Sequence, residues 1–178
     1  MQRRLWELIT MAEVVGKFSK VSLEQFIDDY RNVVSPEESE ETIAQIYERI
    51  TLPERSTHGS AGYDFKLPVP AFFDSNIPFT IPTGIRAEIK PGWFLMLVPR
   101  SSLGFKYGMR LRNTAGIIDS DYAFADNEGH IMAKVVFDEC CCLNDGDKFM
   151  QGIFVPYGIT DGDATKGKRT GGFGSTGT

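Results

Sequence analysis

Ile85-Arg86-Ala87-Glu88-Ile89-Lys90-Pro91-Gly92-Trp93-Phe94-Leu95-Met96-Leu97-Val98 decides the fold. Ile85, Ala87 and Ile89 alternate with Arg86 and Glu88, the period of a strand buried on one face. Pro91-Gly92 turns the chain, and Trp93 to Val98 is apolar on both faces, the pattern of a central strand. On either side, from Leu52 onward, Pro68, Pro70, Pro78, Pro82 and Gly84 punctuate the chain. Ile131 to Phe137 and Phe149 to Val155 read as further strands, with the turn Asn144-Asp145-Gly146-Asp147 before the second. Short strands with turn signals every eight to twelve residues or so predict an all-β sandwich or barrel, not βαβ units.

Before Leu52 the texture differs. Val14 to Phe18 reads as a strand. Ser22-Leu23-Glu24-Gln25 has the form of a capping box, with Val21 and Phe26 placed as a hydrophobic staple. Leu23, Phe26, Ile27 and Tyr30 then follow helical spacing. A second helix is predicted from Ser35 as N-cap and Pro36 at its first position, with apolar face Ile43, Ile46, Tyr47 and Ile50. Met11 is a second plausible start beside Met1. The expected organisation is residues 1–51 as a strand and helices packing on the main domain, 52–157 as the β domain, and 158–178 as a flexible glycine-rich lid.

Composition bounds the function. At 178 residues the chain suits one well-cored domain. The formal net charge of −5 argues against nucleic-acid binding, and no apolar run approaches a membrane span. The start lacks the form of a secretory signal. Cys140, Cys141 and Cys142 are consecutive, so they neither bridge one another nor have zinc spacing; they read as strand residues in a reducing, cytoplasmic setting.

Five segments bear chemistry. In Asn113-Thr114-Ala115-Gly116-Ile117-Ile118-Asp119-Ser120-Asp121-Tyr122, Asp119 ends an apolar run, where desolvation makes a carboxylate a useful base. Gly116 allows close backbone approach to a ligand. Pro99-Arg100-Ser101-Ser102-Leu103-Gly104 offers a guanidinium, hydroxyls and N–H groups for phosphate oxygens. Gly59 to Asp64 puts an acid after a glycine turn, more often structural than functional when alone. Gln151 interrupts an apolar strand and must be exposed, hydrogen-bonded or functional. The tail Lys168 to Gly177 centres Phe173 among glycines, as a lid would that stacks on a base.

In this order and spacing the five segments resemble the five motifs of the trimeric dUTP pyrophosphatase (dUTPase) family, from about Ser60 to Gly177. The two helices resemble a bacterial and phage subgroup. The resemblance implies a jelly-roll homotrimer whose three sites are shared between subunits, hydrolysing dUTP to dUMP and pyrophosphate. It implies Asp119 as general base, Asn113 and Gly116 at the uracil end, and Tyr122 under the deoxyribose, excluding a 2′-hydroxyl. Arg100, Ser101 and Ser102 would meet the phosphates, Gln151 the α-phosphate region, and Asp64 a Mg²⁺ ion through water. Phe173 would stack on uracil, with Gly174 beside it and Ser175 and Thr176 over the γ-phosphate. No cage of carboxylates is evident, which suits Mg²⁺ carried in by the nucleotide.

The chain departs from the pattern in three places. Lys168 stands where the family has arginine, so Arg169, one step later, is assigned that role. Ser102 replaces a common glycine. The segment Ala123 to Gly129 is longer than in compact members and reads as a surface hairpin loop without a role. Two alternatives stand beside the hydrolase. A dCTP deaminase shares the fold but needs a glutamate to shuttle protons, which Asp119-Ser120-Asp121-Tyr122 does not fit. A regulatory role with a protein partner, as in some phage members, is compatible with catalysis.

Overall fold

The computed structural model describes residues 13–167. Strand β1 (Gly16–Lys20) leads into helices α1 (Leu23–Val33) and α2 (Glu40–Arg49). There follow β2 (Glu54–Arg55), β3 (Tyr63–Lys66), β4 (Ala71–Phe73), β5 (Phe79–Pro82), β6 (Ile85–Ile89) and β7 (Trp93–Pro99). Helix α3 (Ser101–Tyr107) precedes β8 (Arg110–Leu111), β9 (Gly116–Ile118), a 3₁₀ turn (Tyr122–Phe124), β10 (Met132–Val136), β11 (Cys141–Leu143) and β12 (Lys148–Pro156). The fold is mostly β, as the punctuation predicts.

Strand β7 is central: it lies between β12 and β9 in the five-stranded sheet β2-β3-β12-β7-β9. Its register puts Leu95 opposite Ile118 and Phe154, Met96 opposite Ile117 and Ile153, and Leu97 opposite Gly116 and Gly152. Side chains alternate between faces. Leu95, Leu97 and Ile118 are buried in the core with Phe65, Phe149 and Met150, whereas Ile117 is 53% exposed and Met96 and Ile153 are half-buried. The inner face meets the smaller sheets through Ile81, Ala133, Val135, Phe73 and Leu143. The outer face is therefore apolar yet only partly covered around Ile117, Met96 and Ile153.

The hairpin after α3 divides its arms. β8 pairs with β10 in the three-stranded sheet β5-β10-β8, and β9 pairs with β7 in the large sheet. Its turn is tight: Thr114 takes a left-handed φ of 70°, and its N–H returns to Leu111 O at 3.0 Å.

The N-terminal segment is built into this framework. β1 runs antiparallel to β6, and the edges of α1 and α2 bury Phe26, Tyr30, Ile43, Ile46 and Ile50. Leu23, expected on the apolar face, is exposed at 37%. Only half the capping box forms. Ser22 Oγ accepts from Gln25 N–H at 3.1 Å, but the Gln25 amide donates to Asp29 at 2.9 Å instead of returning to Ser22. Ser22 N–H is taken by Glu128 Oε2 at 2.8 Å, 106 residues away.

The second helix starts later than its sequence signal. Ser35 O accepts from Glu38 N–H, closing a turn that contains Pro36, and Arg31 Nε donates to Glu38 O. Ser39 is the cap, its Oγ accepting from Thr42 N–H at 3.1 Å. Ser39→Ala is therefore expected to cost about 1 kcal/mol, with Ser35→Ala near neutral; urea denaturation of both variants measures the difference, and equal losses would restore Ser35 as the cap.

Candidate active site

The first group of expected site residues gathers where β3, β12 and β7 meet. Gln151 lies opposite Asp64 on one side and Val98 on the other, and Arg100 follows the end of β7. Asp64 is 7% exposed. Its Oδ2 accepts from Lys148 Nζ and Ser56 Oγ, both at 2.7 Å, while Arg100 Nε stands 3.9 Å from Oδ1. Burial by itself would push this carboxyl up. The hydrogen bonds from Lys148 and Ser56 and the charges of Lys148 and Arg100 outweigh it and hold the group below the ordinary aspartate range. Gln151 is held close over Gly62, where a Cβ would stand 2.1 Å from its Oε1, so a side chain there would displace the Gln151 amide.

Ser101 and Ser102 are exposed in the first turn of α3, a helix the sequence did not announce. Seven residues are too few for a periodic signal, and Gly104 sits inside it; Gly108, left-handed at φ 63°, ends it. Lys148 and Ser56 were likewise missed. The only available signal was that Lys148 lies on the same strand as Gln151.

The second group follows the hairpin. A cleft of about 350 Å³ opens between the two sheets, lined by Leu97, Leu111, Asn113, Gly116, Ile118 and Met132, among others. Its wall is mainly apolar, with Asn113 among its few polar side chains. Gly116 packs on β7: a Cβ there would meet Leu97 atoms at 3.0 Å, so an internal neighbour limits this position as well as any ligand. Asp119 is half-buried just past β9, and its carbonyl accepts from Tyr122 N–H at 3.1 Å. Tyr122 is 3% exposed; its hydroxyl donates to His130 O at 2.9 Å and accepts from Asn127 Nδ2 at 3.0 Å.

Ala123 to Gly129 is only in part the surface loop its composition suggests: Phe124 is 80% exposed and Asp126 is exposed, but other positions are covered. Ala123, Ala125 and Gly129 are buried, and Arg86 Nη2 donates to Ala123 O at 2.6 Å. The segment packs against the N-terminal helices, which a polar sequence such as Asp126-Asn127-Glu128 does not reveal. Cys141 and Cys142 lie in β11 as expected, and all three cysteines are free thiols. Among the described residues no helix is long and apolar enough to cross a membrane. Lys168, Arg169, Phe173, Gly174, Ser175 and Thr176, and the alternative starts Met1 and Met11, lie outside the described residues.

The two groups stand apart within one chain. Asp119 is one residue beyond the Ile118–Leu95 pair, and Arg100 is five residues beyond Leu95 in the opposite direction. Six residues of strand rise separate them by roughly 20 Å along the sheet.

The family model for dUTPase matches residues 48–177. The chain belongs to the dUTPase family. It is 41% identical over 133 residues to a deoxyuridine 5′-triphosphate nucleotidohydrolase of Lactococcus lactis, covering 72% of this chain and 89% of that one. It is similar to the counterpart of Hahella chejuensis at 37% identity, over 72% and 88% of the two chains. Among solved structures, the dUTPase of Streptococcus mutans superposes with a TM-score of 0.56 at 37% identity, over 62% of this chain and 88% of that one. A Staphylococcus bacteriophage 80alpha dUTPase shares the fold at a TM-score of 0.55, 18% identity and coverages of 72% and 92%. The matched region begins near the end of α2, so β1 and α1 lie outside the part that defines the dUTPase family.

The setting of Asp64 generates a test by pH. Its folded pKa lies below its unfolded one, so the stability it contributes is fully present above the unfolded value, about 3.9, and is lost as pH falls through the folded value. Lys148→Met removes the main partner and raises the folded pKa. The acid-unfolding midpoint, followed by circular dichroism, is expected to move to higher pH; an unmoved midpoint would show that Lys148 does not stabilise the carboxylate.

Proposed function

We propose that this chain hydrolyses dUTP to dUMP and pyrophosphate as a jelly-roll homotrimer whose sites are shared between subunits. The carrying observation, beside family membership, is the separation of Asp119 from Arg100 along β7. A base must lie within hydrogen-bond reach of the attacking water, and the arginine must touch the same triphosphate. Ends of a strand roughly 20 Å apart are poorly placed to do both in one chain. Apposition of one subunit's hairpin to another's Asp64–Arg100–Gln151 group brings them together. The half-covered apolar row Ile117, Met96 and Ile153 supports such an apposition, since contiguous exposed apolar surface favours burial against a partner.

In this reading uracil enters the cleft beside Asn113 and Gly116, and the apolar wall excludes water from the base. Tyr122 lies beneath the deoxyribose. Asp119 takes the proton of the water that attacks the α-phosphorus, and the bond to the pyrophosphate oxygen breaks as the new P–O bond forms. Arg100, Ser101 and Ser102 hold the leaving phosphates, with Gln151 beside the α-phosphate. Arg169, Phe173, Gly174, Ser175 and Thr176 complete the site.

Among the described residues no three His, Cys, Asp or Glu side chains gather as a metal cage. Oδ2 of Asp64 is taken up by Lys148 and Ser56, which makes the group a poor direct ligand. This donor set fits a cation that arrives on the nucleotide's own phosphates, with Asp64 meeting it through water. Mg²⁺ so carried neutralises and orients the triphosphate.

Asp119→Asn is expected to lower kcat by about two to four orders of magnitude with little change in dUTP binding, read by pyrophosphate release and calorimetry. Arg100→Ala is expected to be inactive as well. Refolding the two variants together in equal amounts should restore about a quarter of the parent activity, the share of shared sites that receive both native residues. Restoration of none would place both residues in one chain's site and refute sharing.

A further inference from the structure

Five ties converge on the segment between Tyr122 and His130, and four of them come from outside the nucleotide motifs. His130 is fully buried. Gly84 N–H donates to its Nε2 at 2.8 Å, so the ring proton sits on Nδ1, 2.6 Å from Asp29 Oδ2 of α1. Glu128 accepts from both Ser22 N–H and Ser22 Oγ at the start of the same helix, at 2.8 and 2.7 Å. Gly129 is left-handed at φ 71°, and a Cβ there would stand 2.7 Å from Tyr122 O, so the loop folds directly back on the tyrosine. Arg86 holds Ala123 O from β6. The fifth tie is the Tyr122 hydroxyl itself, gripped between His130 O and Asn127 Nδ2.

A phenol hydroxyl held on two sides fixes the direction of the ring's long axis, and a ring so anchored cannot swing away without breaking those bonds. The carbonyl that accepts from it belongs to the residue whose imidazole is fastened to α1. We infer that Asn127, His130 and Asp29 are positioning residues for Tyr122, and that helix α1 thereby sets the enzyme's discrimination between deoxyribose and ribose. This rests on the role given to Tyr122 above. The N-terminal helices act as a fixed backstop for the sugar pocket, and the loop 123–130 is the part through which they reach it.

The readout is the ratio of kcat/KM for dUTP to that for UTP. In Tyr122→Phe, Asn127→Ala and Asp29→Ala it is expected to fall about three- to tenfold each, the worth of one intramolecular hydrogen bond. Asp29→Asn, which keeps an acceptor for the Nδ1 proton, should retain the parent ratio. Placed in the Tyr122→Phe background, Asn127→Ala should add nothing, because both act through the same hydroxyl. Asn127 is only half-buried, so its variant keeps the test open should Asp29→Ala not fold. A parent that releases pyrophosphate from neither nucleotide overturns the proposed function. A parent that prefers dUTP, with Asn127→Ala keeping the full preference or with losses that multiply in the double variant, overturns this inference alone.

Discussion

Hydrogen bonding along both edges of β7 is the constraint on which the rest depends. A strand so placed has no free edge, so its neighbours are fixed in register, and a slip of one residue would turn Leu95 and Leu97 out of the core. Through β12 it carries Gln151 and, one strand further, Asp64; through β9 it carries the hairpin and Asp119. Arg100 sits where it does because β7 ends there. One strand thus sets the spacing of Asp64, Arg100, Gln151 and Asp119 along the sheet.

Much of this was legible in the residues. Alternation in Ile85 to Ile89 and the unbroken apolar run of Trp93 to Val98 distinguish a half-buried strand from a central one, since the pleat exposes alternate side chains to different surroundings. Arg100, Asp119 and Gln151 stand out because each sets a polar group at the end of, or inside, an apolar run, whereas Asp64 follows a glycine turn and stands out only in the company of the other segments. Partnerships across the chain were not readable. Nothing near Gln25 says that Glu128 will complete its cap, and nothing near Asp126-Asn127-Glu128 says that the loop will be covered. The Ser35-Pro36 signal was sound locally but lost to a turn that the Glu38 amide closes on Ser35.

Buried polarity among the described residues is concentrated and largely matched, the exception being Arg86 Nε, which is buried without a hydrogen-bond partner. Asp64, Thr83 and His130 are the buried polar side chains among the described residues, and each is bonded on at least two sides. Thr83 Oγ1 donates to Ile131 O and accepts from Ile85 N–H, stitching the turn between β5 and β6 to the start of β10. Asp64 lies beside Arg100, and the carbonyl of His130 accepts from Tyr122. Desolvation makes each group costly to leave unpaired, so each anchors its surroundings to a single arrangement.

The link from Ser22 to Glu128 has a consequence for how the molecule is made. On a ribosome the residues of α1 emerge long before residues 128–130, and β1 emerges well ahead of its partner β6. The first helix can pack Phe26 on Tyr47 once α2 is made, but its tie from Ser22 to Glu128 waits until the loop 123–130 has been synthesised. Closure of the N-terminal segment is a late event that depends on prior formation of the sheets. Until then the nascent chain carries a helix pair whose sheet-facing side lacks its cover, the kind of surface that chaperones bind.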